Sequence, residues 1–135
     1  MGGGSAAERA RALIGAKFRF QGRSKAEGLD CVGVAAAAFA LDTAARDYSL
    51  RGRDLGRLEA ELAARGFERS GSVEAAAGDL MIFTPGPAQL HLAVCTGAGF
   101  VHADIGLRRV VERPFPAPWP LAALWRAAAS PSEGD

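Results

Sequence analysis

Apolar side chains recur at three- and four-residue steps through the first half of the chain and at every second residue through much of the rest. Ala10, Leu13 and Ile14, with Glu8 in the first turn and Gly15 near the end, predict a short amphipathic helix over residues 6–16. Residues 17–29 hold Gly22 and Gly28 among polar side chains and read as an ordered loop. Asp30 can cap a helix, and residues 31–41 are small or apolar throughout; a helix apolar on every side is a buried one. Leu55, Leu58 and Leu62 predict a surface-facing helix over 54–65, stopped by Gly66. From Gly78 the period is two, predicting strands over 79–83, 90–96 and 99–104 and another over 107–112. The segment Pro114 to Pro120 cannot be a central strand, and residues 121–129 are expected to close the fold as a helix. Helices first and an antiparallel meander second is the α+β pattern. One domain over 6–129 is expected, with a flexible lead at 1–5 and a tail at 130–135.

Composition narrows the function classes. At 135 residues, 49% hydrophobic and 23% charged, the chain fits one globular domain and not a disordered, collagen-like or disulfide-scaffold protein. A net charge of +1 lacks the basic surplus from which a dedicated nucleic-acid or anionic-membrane binder draws its affinity. The longest charge-free apolar run of the first half, residues 31–41, falls short of the ~20 residues that span a bilayer. The first five residues have neither a basic nor an apolar region, so synthesis in the cytoplasm without a signal peptide is expected. Cys31 and Cys95 are too few for a disulfide framework and lack metal-ligand spacing; no metal and no cofactor is expected.

A cysteine hydrolase needs a thiolate, a base, a group that orients the base, and donors for an oxyanion. Cys31 stands at the first turn of the buried helix, where unpaired N–H groups and the helix dipole lower a thiol pKa, so alkylation well below about pH 8 is expected. Its other reading is a small buried hydrophobe, as free cysteine usually is. Gly33, two residues on, suggests close approach of backbone or substrate in a helix otherwise rich in alanine.

There are two histidines, and their placement depends on one turn. If Gly97-Ala98 closes a hairpin, residue i faces residue 195 − i, so His91 faces Asp104 and His102 faces Ala93 on the same side of the sheet. His91 and His102 are then diagonal neighbours, roughly 7–8 Å apart along the backbone. A three-residue loop would shift the pairing by one and place them on opposite faces. Two histidines satisfied by backbone groups remain the alternative. Cys95 lies four residues from His91, about 13 Å along a strand, which makes Cys31 the better nucleophile. Asp104 rivals His102 as orienting group, and Asp79 reads as a turn residue.

Five pieces in order resemble the NlpC/P60 family of cell-wall cysteine peptidases. They are Ala12 to Gly22 with Gly15, Phe18 and Gln21; Gly28-Leu-Asp-Cys31-Val-Gly33; Gly78-Asp-Leu80 with Phe83; His91-Leu-Ala-Val; and Phe100-Val-His-Ala103. They match the family's glycine-aromatic loop, Asp-Cys-Ser-Gly motif, Gly-Asp-Leu strand, His-Val-Gly strand and closing His-Ala. The resemblance implies a papain-like core, with Cys31 as nucleophile, His91 as base and His102 as its orienting partner. It also implies cleavage in peptidoglycan stem peptides, commonly next to a D-glutamyl residue.

The chain departs from the family pattern at two positions near the nucleophile. Phe18 replaces a tyrosine thought to help the oxyanion, which leaves the backbone N–H of Cys31 and Gln21 as donors, and Val32 replaces the serine that follows the cysteine on the substrate side; Asp30 is a further substrate or oxyanion candidate. A compact form without a wall-binding domain is similar to phage and gene-transfer-agent tail peptidases, which implies phage-like tail proteins as partners and action at the cell wall on a delivered particle. Cysteine endopeptidase is thus the leading expectation. An amidase or acyltransferase on the same fold, or a catalytically silent phage-tail structural component, is the alternative.

Overall fold

The computed structural model describes residues 2–41, 55–87 and 89–127; the expected tail at 130–135 and the ends of two expected helices, residue 54 and residues 128–129, lie outside them. Among the described residues three helices, α1 (Gly2–Arg11), α2 (Cys31–Ala38) and α3 (Leu55–Ala64), pack with two antiparallel sheets. Strands β1 (Arg23–Ser24) and β2 (Gly28–Leu29) make a small hairpin inside the expected loop. The main sheet contains β3 (Phe67–Arg69), β4 (Leu80–Phe83), β5 (His91–Cys95), β6 (Gly99–Asp104), β7 (Arg109–Pro114) and β8 (Leu121–Ala127), in the order β3-β8-β4-β5-β6-β7. The architecture is α+β.

Helix α1 begins inside the expected flexible lead and ends earlier than expected. Ala6, Ala7 and Ala10 are buried, and α1 packs on α2. At its far end Gly15, at φ 95°, donates its N–H to the Val110 carbonyl and draws the chain toward β7. Helix α2 stops at Ala38 because Ala40 turns left-handed at φ 54° and the Leu41 amide reaches back to the Ala36 carbonyl.

The expected C-terminal helix is a strand. The residues Leu121-Ala-Ala-Leu-Trp125 favour a helix locally, but β8 supplies the backbone partners of both β3 and β4, an opportunity that outweighs propensities of a few tenths of a kcal/mol per residue, roughly. Its burial shows why periodicity hid it: Ala123 and Trp125 enter one apolar cluster and Leu124 enters another, so three consecutive residues are buried. The helix-side core contains Leu80, Ile82 and Leu92 against Ala35, Leu58 and Leu62. The opposite face of the sheet buries Met81, Phe83, Ala93, Cys95 and Phe100 beneath Trp119 and Ala117 of the proline-rich segment. Asp79, just before β4, is 3% exposed and accepts from the Ala76 amide and from Arg126 Nε, each at 2.9 Å.

Glycines in two helices predict opposite responses to alanine. A Cβ on Gly33 would lie 2.2 Å from the Gly22 carbonyl oxygen, whereas one on the exposed Gly56 of α3 meets nothing within 4 Å. Gly33→Ala should cost about 1–3 kcal/mol through overpacking, and Gly56→Ala should add roughly 0.5–1 kcal/mol through helix propensity. Thermal melts of the two variants check this; equal shifts would contradict the packing described.

Candidate active site

The site begins with Asp30. Its extended backbone (φ −99°, ψ −173°) ends the approach loop, and its Oδ1 accepts the Gly33 N–H at 2.8 Å, capping α2. The other oxygen, Oδ2, accepts the Gln21 N–H at 2.8 Å, and Arg23 Nη1 donates to Oδ1 at 2.8 Å. This pair is well shielded, with side-chain exposures of 4% for Arg23 and 15% for Asp30. One carboxylate thus fastens the loop, the small hairpin and the first turn of the helix that carries Cys31.

Cys31 packs against the helix-side core that includes Leu80, Ile82, Leu90 and Leu92. Burial pushes its thiol up to about 12, with the Asp30 charge adding to the rise; the amides of Leu92, Val32 and Cys31 itself pull the other way. Desolvation outweighs the helix terminus, so the resting group is a thiol and not the readily formed thiolate expected from the sequence. Cys95 is fully buried on the far face of the sheet, takes a contact from the Gly97 N–H at 3.4 Å, and is likewise a free thiol with its pKa raised first by burial.

The β5–β6 hairpin pairs Val94 with Val101 and Cys95 with Phe100, the register that a two-residue loop at Gly97-Ala98 sets. His91 Nε2 and His102 Nδ1 stand 2.8 Å apart, with the ring planes at 90°. His102 is 1% exposed, and its buried Nε2 has no hydrogen-bond partner but lies 3.8 Å from Asp104 Oδ2. Asp104 is held at the β6–β7 turn by the Leu107 N–H, 2.9 Å from its Oδ1. It therefore stands behind His102 and does not compete with it for contact with His91.

This geometry decides the tautomers. A proton on His102 Nδ1 would leave a bare, buried Nε2 facing a carboxylate, two acceptors together. With the proton on His102 Nε2, the Asp104 charge is favourable, His91 donates from Nε2, and His91 Nδ1 is left as a free acceptor. Burial takes His91 down to about 4, the charge on His102 adding to the fall and Asp104 opposing it. His102 is also lowered, by burial first, with Asp104 opposing and Arg113 adding. Both rings are neutral at rest.

The remaining candidates have defined surroundings. Phe18 makes an edge contact with Phe20 at 5.1 Å, packs against the core and carries no donor. Gln21 spends its N–H on Asp30, although its side chain is exposed, and Val32 packs in the helix-side core. No hydrogen bond joins the Cys31 thiol to His91; their link runs through β5, where the backbone of Leu92, next to His91, bonds to the sulfur. Trp119 was not visible as a site residue in the sequence: its ring meets His91 at 5.0 Å and His102 at 5.4 Å. A lone tryptophan in a proline-rich stretch was the available signal.

Two measurements follow from these shifts. The unfolded chain takes up histidine protons near 6.5 and the folded His91 near 4, so stability present above 6.5 is lost as pH falls between those values. Melting temperature should decline through that window and decline less in His91→Gln. Iodoacetamide labelling of Cys31 in the resting protein should keep rising with pH beyond the ordinary cysteine range of about 8.5, and a plateau near neutrality would contradict the raised thiol pKa.

No protein-family model matches the chain, and no curated protein matches its sequence. Solved structures do. NlpC1 from Trichomonas vaginalis superposes with a TM-score of 0.68 at 21% identity, covering 93% of this chain and 43% of NlpC1. The NlpC/p60 domain of the peptidoglycan hydrolase SagA gives 0.58 at 21% identity, covering 84% of this chain and 90% of that domain. The peptidoglycan hydrolase RipB from Mycobacterium tuberculosis gives 0.61 at 21% identity, covering 93% and 63%. A capped helix with its cysteine, laid on an antiparallel sheet that pairs two histidines, is here built on the NlpC/P60 fold.

Proposed function

We propose that the chain is a cysteine peptidase that hydrolyses peptide links in peptidoglycan stem peptides, acting at the cell wall. The observation that carries this reading is the 2.8 Å contact between His91 Nε2 and His102 Nδ1, which frees His91 Nδ1 beside the strand residue whose amide touches the nucleophile. The likeness to SagA and RipB, both described as peptidoglycan hydrolases, supports the substrate class.

The residues define a sequence of steps. The Cys31 thiol turns from the Leu92 amide toward His91, and its proton passes to His91 Nδ1 as Sγ attacks the scissile carbonyl. His91 then gives that proton to the leaving nitrogen as the C–N bond breaks, which leaves a thioester on Cys31. Water, deprotonated by His91, cleaves the thioester and restores the thiol. His102 holds the base in its working tautomer and shares the positive charge that His91 acquires, with Asp104 behind it. The Cys31 N–H at the start of α2 is a donor for the oxyanion.

Digestion of purified peptidoglycan, with fragments weighed by mass spectrometry, tests the proposal. New amino groups should appear in stem peptides without new reducing sugars, because a thiol acyl-enzyme does not form at a glycosidic bond. Cys31→Ala should abolish release, His91→Ala should lower the rate by roughly 10²–10⁴-fold, and His102→Gln should keep part of the activity. Asp104→Asn should cost less than His102→Ala. Release unaffected by Cys31→Ala overturns the mechanism; acyl transfer without hydrolysis would favour the acyltransferase reading.

A further inference from the structure

Among the described arginines, two are half-buried, and they differ in what they do. Arg23 is committed to Asp30. Arg113, near the end of β7, has no hydrogen-bond or ion-pair partner among the described residues, although its guanidinium lies 5.7 Å from the Trp119 ring centroid. Cross-strand pairing fixes its side of the sheet: Arg113 is opposite Phe100 and Val111 opposite His102, so Arg113 shares the face that carries both histidines. Phe100 touches His102 at 5.3 Å and Trp119 at 6.0 Å, completing an aromatic wall between the cation and the histidine pair.

A half-buried guanidinium loses hydration, and a cation–π contact holds it in place without satisfying its N–H donors. Its planar fork fits a carboxylate, and stem peptides carry carboxylates beside their peptide links. Resting on the peptidase reading above, we infer that Arg113, held over Trp119, binds a substrate carboxylate adjacent to the scissile bond and selects for it. The electrostatics make this more than an anchor. Arg113 opposes a positive charge on His102, and the histidine pair must take up a proton during acylation. A carboxylate bound to Arg113 offsets that opposition while the proton is on the imidazoles, so the selected group contributes to turnover as well as to binding.

Synthetic stem peptides test this, with the carboxylate on the acyl side of the link, or the one on the amine side, converted in turn to a primary amide. Wild-type protein should prefer the free acid at one of the two positions, which identifies the carboxylate that is read. Arg113→Gln should lower kcat/KM on that free acid by roughly 10- to 100-fold and on its amide by much less, collapsing the acid-to-amide ratio, with part of the loss in kcat. Arg113→Lys, which keeps the charge but not the fork, should give an intermediate ratio and serves if the glutamine variant melts early. A ratio that neither variant moves, with both peptides still cleaved, overturns the inference and leaves the peptidase reading standing. Wild-type protein that cleaves none of the peptides overturns both.

Discussion

The histidine pair depends on the length of one turn. With two residues, Gly97 and Ala98, between the paired Thr96 and Gly99, His91 and His102 share a face and their ring nitrogens meet at 2.8 Å; one residue more would turn every side chain of one strand to the other side of the sheet. The turn is secured locally. The Thr96 N–H donates to the Gly99 carbonyl at 2.9 Å, the Gly99 N–H returns to the Thr96 hydroxyl at 3.2 Å, and Gly97 takes the left-handed φ of 93°. Gly99 admits no side chain, since a Cβ there would lie 2.0 Å from the Arg113 carbonyl oxygen. The same close approach sets the strand that carries Arg113 beside the hairpin.

On the other side of the site, Asp30 does for the helix what the turn does for the sheet. Its carboxylate is fully engaged, so the negative charge next to Cys31 is fixed and does not rotate toward solvent. The cost is electrostatic, because that charge adds to the burial that keeps the thiol protonated. The neutral histidines match it. With the thiol and both imidazoles neutral at rest, the proposed peptidase would separate charge only in the step in which a carbonyl is present to accept it.

The parts of this arrangement that are governed by local rules were legible in the sequence. Asp30 before an apolar helix is a capping signal, Gly33 marked a close approach that proves to be the Gly22 carbonyl, and the hairpin register followed from counting across Gly97-Ala98. What was not legible depends on partners far along the chain. Residues 121–127 look helical until β3 and β4 offer them backbone hydrogen bonds, and β3 is too short for any periodicity to reveal it. Trp119 and Arg113 gain meaning only from the sheet face beneath them. The thiol was misjudged because the helix terminus was weighed and the desolvation of the sulfur on a buried helix was not.

The position of β8 bears on how the chain reaches this state. Among the described residues β3 pairs only with β8, its Phe67 opposite Ala127, so one edge of the sheet cannot attach until a segment 60 residues further on (127 − 67) has been inserted next to β4. Such a long closure is entropically costly and slow compared with local hairpins. During synthesis, α3 and β3 emerge well before the strand that will cover them. The histidine hairpin can form first, but the apolar floor beneath Cys31, which includes Ala123 and Trp125, is completed only afterwards. A nascent chain therefore carries Cys31 on an unfinished core, and the candidate site is completed only after β8 has left the ribosome.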